Sequence, residues 1–288
     1  MARLADYIAL ARPRHWTKNV FVLMPLPHAL AGGGSFDLLP YAAGLTGFSV
    51  VTSAVYVFND CRDATRDRLH PTKHARPVAA GRITPRAGAM FGLLLLAIGL
   101  TLCWWSGRPM VLALTLTYLA INLFYSFWGR SIPVIDVFLL ASGFVIRVML
   151  GCALVYAVAS LWLLLCSSTL ALFMTFAKRR NDLLTGVAGN HRASLDGYDV
   201  TFLEQAMAIT ATLALMAYAT FCMESSVLVD GRQFASLPFV TFGVLEYLRR
   251  VRIAGDGGSP VDLLLGSRAL QACGVGWVIA TVWSLGWL

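Results

Sequence analysis

The sequence predicts an all-α fold, a polytopic membrane bundle of about nine transmembrane helices, and three observations carry that expectation. The 288 residues are 58% hydrophobic and only 13% charged, whereas a soluble domain carries about a quarter of its residues charged. Mean hydropathy is +0.69, and long apolar runs recur along the whole chain. Finally, Lys and Arg are concentrated in alternate loops between those runs.

Residues 1–19 read as an amphipathic lead-in, with Tyr7, Ile8, Leu10 and Trp16 able to rest at an interface beside Arg12, Arg14 and Lys18. No early apolar stretch of the signal-peptide kind is present, so no cleaved leader is expected. Apolar runs follow at 20–33, 41–58, 88–105, 110–127, 134–155, 158–177, 203–223, 234–248 and 269–287. The first and eighth are short or broken by Pro, which leaves eight spans as the fallback. With the N-terminus in the cytosol, twenty of the 23 Lys and Arg fall on the inside, Arg108 and Arg232 fall outside, and Arg147 lies within a span. That asymmetry orients the chain. It also accounts for the net charge of +8 without a nucleic-acid partner. The six cysteines form no CxxC pair and lie mostly in apolar runs, which argues for buried thiols. Residues 1–288 therefore read as a single membrane domain, with cytosolic loops near 59–87, 178–202 and 249–268.

The most charged stretch is Asn59 to Gly81, NDCRDATRDRLHPTKHARPVAAG. Asn59, Asp60, Asp63 and Asp67 recur in it at near-helical spacing, so on a helix their side chains share one face. Three carboxylates on one face repel one another unless a cation sits among them. Oxygen donors suit a hard ion such as Mg2+, which bridges carboxylates to substrate phosphates. The expectation is that Asn59, Asp60, Asp63 and Asp67 are metal ligands and that the aspartates serve catalysis at a diphosphate leaving group. The plainer reading is a solvated helix start, since Arg62, Arg66 and Arg68 interleave with the acids. Lys73, Arg76 and Arg82 stand nearby as phosphate contacts. His70 and His74 lack the further Cys or His that a zinc site needs.

A second polar stretch, FAKRRNDLLTG from Phe176 to Gly186, closes the sixth run. Lys178, Arg179 and Arg180 there either mark a cytosolic boundary or face the first site as a phosphate-binding cluster. Arg147, in GFVIRVMLG, is a charge inside an apolar span, which by default marks a buried partner or ligand. Asp136 and Tyr125–Ser126 are the partners the sequence offers it. Lys18 and Asn19, in RPRHWTKN, stand where the first run enters the membrane.

NDxxDxxxD after an even-numbered span, followed by RPVAAGRI, resembles the UbiA-type intramembrane prenyltransferase superfamily. RPRHWTKN, the whole Asn59–Gly81 stretch, SIPVIDVFLLASGFVIRVMLG, FAKRRNDL and GSPVDLLLGSR look like one branch, the decaprenyl-phosphate phosphoribosyltransferases. The resemblance implies Mg2+-dependent transfer of 5-phosphoribosyl from phosphoribosyl diphosphate to a polyprenyl phosphate. Pyrophosphate would leave, and the product would be a lipid-linked pentose for cell-envelope glycans of the arabinan type. It implies a metal and diphosphate motif at Asn59, Asp60, Asp63 and Asp67. Substrate or phosphate contacts are then expected at Lys18, Asn19, Lys73, Arg76, Tyr125, Arg147, Lys178, Arg179 and Asp182. It further implies a plasma-membrane location with cytosolic active-site loops, and is compatible with a homo-oligomer. The second motif departs from that of the aromatic prenyltransferases, with Asp182 as its one acid, which favours direct cation–phosphate contact there over a second aspartate-bound Mg2+. The competing expectation is prenyl transfer from a diphosphate to an aromatic acceptor such as 4-hydroxybenzoate, which calls for a second acidic motif. An anion-binding transporter would call for broken spans and polar residues at mid-membrane, of which Arg147 is the single hint.

Overall fold

Apolar segments in lipid must pair their own backbone groups, which restricts a chain of this composition to helices or a closed barrel. A computed structural model describes residues 3–33, 36–69, 73–185, 193–254, 263 and 266–288, and every regular element among them is helical. The lead-in is helix α1 (Leu4–Ala11) followed by a tight 3-10 segment, Pro13–Asn19. The first apolar run breaks into α2 (Val20–Leu23) and α3 (Pro25–Ala31), because Pro25 has no amide proton to continue the helix. Then come α4 (Leu38–Asp67), α5 (Pro85–Trp105), α6 (Pro109–Phe127), α7 (Ile135–Leu154), α8 (Leu161–Leu184) and α9 (Val200–Glu224). The last two are α10 (Leu237–Arg249) and α11 (Arg268–Ser284).

Six of these, α4 to α9, are long and apolar enough to cross a membrane. The other three expected spans coincide with α2 and α3, with the 13-residue α10, and with the 17-residue α11. These are shorter than the roughly 20 residues a straight crossing takes. The helical class stands, and among the described residues six helices meet the length and composition of a membrane span. His70 of the first motif, Gly186 and Arg192 of the second loop and most of GSPVDLLLGSR lie outside the described residues.

Where helices must approach closely, the sequence supplies glycine. A Cβ on Gly47 would sit 2.8 Å from the Cys103 amide nitrogen, and one on Gly99 would sit 2.8 Å from the Gly47 carbonyl oxygen. The α4 and α5 backbones therefore touch, as small residues permit in membrane bundles. Gly151 lets α7 press against the Val22 carbonyl of α2 in the same way. Two large apolar clusters result. One joins α2, α4, α5, α6 and α7 through Val22, Phe48, Val111, Tyr118 and Leu150. The other joins α7 to α8, α9, α10 and α11 through Val137, Phe173, Leu203, Val244 and Leu270. The up-and-down course brings the C-terminal ends of α4, α6 and α8 to one end of the bundle, which puts both polar motifs together.

Gly47→Ala is expected to cost about 1–3 kcal/mol by overpacking this crossing and to lower Tm in thermal unfolding of the purified protein. An unchanged Tm would mean the two backbones are not held in contact.

Candidate active site

α4 runs past its apolar part, and its final turns carry the acidic face. Asp60 and Asp67 are buried, at 4% and 5% exposure. Leaving them unpaired would be costly, and arginines from two other segments answer their charge, with a third segment supplying one for Asp63. Arg12 Nη2 donates to both oxygens of Asp60, at 2.6 and 2.8 Å. A single nitrogen, Arg76 Nη1, donates to Asp60 at 3.1 Å and to Asp67 at 2.6 Å. Arg130 Nη1 reaches both oxygens of Asp63 at 3.2 and 3.3 Å, with Arg62 Nε at 3.6 Å from the same carboxylate. Asn59 Oδ1 accepts from Ser126 Oγ at 2.8 Å. The expected shared face therefore exists, divided into a buried Asp60–Asp67 pair and a more open Asp63.

Among the described residues no three Asp, Glu, His or Cys side chains converge as a metal cage. Mg2+ needs only one or two protein carboxylates when substrate phosphates complete its shell, so the all-oxygen set of Asn59, Asp60, Asp63 and Asp67 fits that ion. Arg76 Nη1 lies between one oxygen of Asp60 and one of Asp67 and supplies positive charge to both. Lys73 stands half-buried in the short 3-10 turn Lys73–Ala75 beside it.

Deeper in the bundle, Arg147 is 4% exposed. Its Nε donates to Asn19 Oδ1 at 3.0 Å and its Nη1 to the Gly143 carbonyl at 2.6 Å. The rings of Phe48 and Tyr118 each lie 5.3 Å from its guanidinium. Asn19 is fixed in turn by donating to Ser49 Oγ at 2.6 Å. The expected partners Asp136 and Tyr125–Ser126 are thus corrected. Asp136 opens α7, while Arg147 lies eleven residues on, about 16 Å further at 1.5 Å per residue. Half-buried Lys18 is the neighbouring cation. Burial, aided by the charges of Arg147 and Arg12, pushes its ammonium down to about 8.

The second motif is built differently from its expectation. Arg179 is fully buried and donates from Nε to Asp136 Oδ2 at 2.7 Å and from Nη1 to Asp182 at 3.2 Å. Asp136, at 0% exposure, also accepts from Ser194 Oγ at 3.0 Å and from the Tyr198 hydroxyl at 2.7 Å. Burial and that carboxylate raise the Tyr198 phenol well above its ordinary range, so it stays a donor. The same hydroxyl accepts from the Val134 amide and holds that β-branched residue at φ 66°. Arg180 bonds Glu204 and the Val251 carbonyl. Two of the three cations in the cluster therefore hold α7, α8 and α9 together, while Arg179 Nη2 is left without a hydrogen-bond partner among the described residues. Tyr125 lies within electrostatic reach of Arg179, and its neighbour Ser126 holds Asn59, so the end of α6 stands between the two motifs. Lys178 is half-buried one position away on α8. Arg12, Arg130, Ser194 and Tyr198 were not singled out as site residues. Their partners lie 48 to 67 residues away in sequence, where no spacing rule reaches.

The sequence profile of the UbiA prenyltransferase family matches residues 20–255. The chain belongs to the UbiA prenyltransferase family. A decaprenyl-phosphate phosphoribosyltransferase of Corynebacterium glutamicum is 34% identical over 291 residues, covering 97% of this chain and 86% of that one. The enzyme of the same name from Mycobacterium tuberculosis is 34% identical over 289 residues, covering 97% and 93%. Among solved structures, a UbiA homolog from Archaeoglobus fulgidus bound to GPP and Mg2+ superposes with a TM-score of 0.74 at 18% identity, over 98% of each chain. That likeness is one of fold. As a UbiA-family member with six membrane-length helices, the chain is a multi-pass membrane transferase.

Asp136→Asn removes the shorter of the two carboxylate contacts of Arg179 and is expected to cost about 1.5–3 kcal/mol of stability, the range for a hydrogen bond to a charged group. Replacing both residues by Leu is expected to recover much of that loss in denaturant unfolding. A single variant as stable as the parent would remove the pair from its structural role.

Proposed function

We propose that this UbiA-family transferase moves a 5-phosphoribosyl group from phosphoribosyl diphosphate to a polyprenyl phosphate of the decaprenyl type, releasing pyrophosphate. The product is a lipid-linked pentose that serves cell-envelope glycans of the arabinan type. The relatives at 34% identity over 97% of the chain support the reaction. The observation that carries it in this chain is Arg147, a buried guanidinium with no carboxylate partner among the described residues, beside Lys18 and Arg12. Unbalanced positive charge inside a membrane bundle calls for an anion. Two phosphorylated substrates bring more of it than a prenyl diphosphate with a phosphate-free acceptor.

In this reading the chain is one domain in the plasma membrane, with the aspartate end in the cytosol, where sugar diphosphates are found. Asp60, Asp63 and Asp67, with Asn59, would hold Mg2+, which would supply Lewis-acid neutralisation of the pyrophosphate leaving group. Arg76 and Arg12 release Asp60 and Asp67 and turn to the diphosphate oxygens, with Lys73 and Lys178 as rim contacts and Asp182 and Tyr125 bordering the ribose. The bond from ribose C1 to the diphosphate oxygen breaks as a lipid phosphate oxygen bonds to C1. That oxygen is already anionic, so no strong general base is required. Lys18 and Arg147, the latter oriented by Asn19, hold a substrate phosphate and supply positioning and electrostatic stabilisation. A cleft of 360 Å3 between Trp16, Val20, Leu23 and Leu45 runs beside Asn19 and suits an apolar chain.

Membranes given labelled phosphoribosyl diphosphate, Mg2+ and polyprenyl phosphate are expected to form labelled lipid, and Asp60→Asn to abolish it. Product from a prenyl diphosphate and 4-hydroxybenzoate instead would overturn the reading. Lys18 is cationic below about 8 and neutral above it. The KM for a phosphorylated substrate is therefore expected to rise between about pH 7 and about pH 9, and Lys18→Arg to flatten that rise. An identical profile in the variant would take Lys18 out of the site.

A further inference from the structure

At the end of the bundle opposite the aspartates, a different arginine is buried without adequate partners. Arg108 joins α5 to α6 with its side chain 3% exposed. Its Nε, Nη1 and Nη2 find no hydrogen-bond acceptor among the described residues. What touches it is the ring of Tyr156, whose centroid lies 3.4 Å from the guanidinium carbon. The Asp37 carboxylate comes no nearer than 3.5 Å and is itself 62% exposed. A guanidinium has five N–H donors, and hiding it without acceptors is costly.

The cover is thin and its backbone is strained. Tyr156 is 68% exposed on its outer side. It follows α7 at a position where Ala157 N bonds back to the Cys152 carbonyl at 2.9 Å. That closure sends the intervening residue into the left-handed region, which ordinarily belongs to glycine. Here a tyrosine adopts φ 55°. The surroundings are those of a bilayer interface. Trp104 and Trp105 are 71% and 61% exposed just before the turn, and Met110 is 59% exposed just after it. Arg108 also immediately precedes α6, whose positive end favours an anion.

We propose that Arg108 is a binding site for the phosphate of a membrane phospholipid headgroup, closed by the Tyr156 ring and opened when that ring is displaced. The phosphate oxygens take the acceptor positions that the three nitrogens lack. Asp37 opposes an anion, and it swings into the solvent it already faces. The exposed tryptophans favour a lipid over free phosphate as the source, since the acyl chains lie along the same surface.

Native mass spectrometry of the full-length protein tests this with phosphatidylglycerol, with diacylglycerol of the same chains, and with inorganic phosphate as competitor. Arg108→Gln is expected to retain phosphatidylglycerol about tenfold more weakly than the parent, the loss of one charge-assisted contact. Tyr156→Gly relieves the strained turn and uncovers the guanidinium, so it is expected to retain more of that lipid with no fall in Tm. Diacylglycerol retention is expected to be the same in all three proteins, and phosphate at equal concentration to leave the lipid in place. Equal phosphatidylglycerol retention by Arg108→Gln would overturn the proposal, as would weaker retention by Tyr156→Gly, which also decides the matter if the first variant fails to fold. Displacement by free phosphate would overturn the lipid assignment.

Discussion

Neutralising the acidic face of α4 inside a membrane bundle is the constraint on which the polar end of the bundle depends. Asp60 and Asp67 are buried where water screens little. They are compensated by Arg12 from the lead-in and Arg76 from the loop after α4, while Asp63 meets Arg130 from the turn between α6 and α7. Each contact is charge-assisted, and the Arg12 pair reaches both oxygens of its carboxylate. The same contacts that make the acids tolerable also bring three distant segments to α4. A cation taking their place would find the donor oxygens already assembled and the arginines already at hand for a diphosphate.

Three buried arginines separate roles by the partner each is given. Arg179 has Asp136 and Asp182, and it holds α7 to α8. Among the described residues Arg147 meets an amide oxygen, a carbonyl and aromatic rings, with no carboxylate. Arg108 has a ring and a distant carboxylate. Arg179 thus meets two carboxylates while its Nη2 finds no hydrogen-bond partner among the described residues, whereas Arg147 has no carboxylate partner among them.

Much of this was legible in the sequence. Apolar run length and charge asymmetry between loops foretold the helical membrane class, because lipid leaves the backbone so few choices. The spacing of Asn59, Asp60, Asp63 and Asp67 foretold a common helix face, because helix geometry is local. What could not be read was pairing across distance. Arg12 looked like an interface anchor, yet it pairs with Asp60 of α4, and Asp136, one of the partners offered to Arg147, pairs with Arg179 instead. The cations at Lys178 to Arg180 looked equivalent in sequence, yet burial gives Arg179 and Arg180 to carboxylates on neighbouring helices. Arg108 read simply as an outside charge, and nothing in the sequence pointed to its side chain folding under Tyr156.

The most direct measurement of the central claim is an experimental structure of the protein with Mg2+ and a non-reacting analogue of phosphoribosyl diphosphate. The account predicts that Arg76 moves beyond ion-pair distance, about 4 Å, from both Asp60 and Asp67 and contacts the diphosphate. Arg76 still bridging Asp60 and Asp67, with the analogue bound elsewhere, would contradict it.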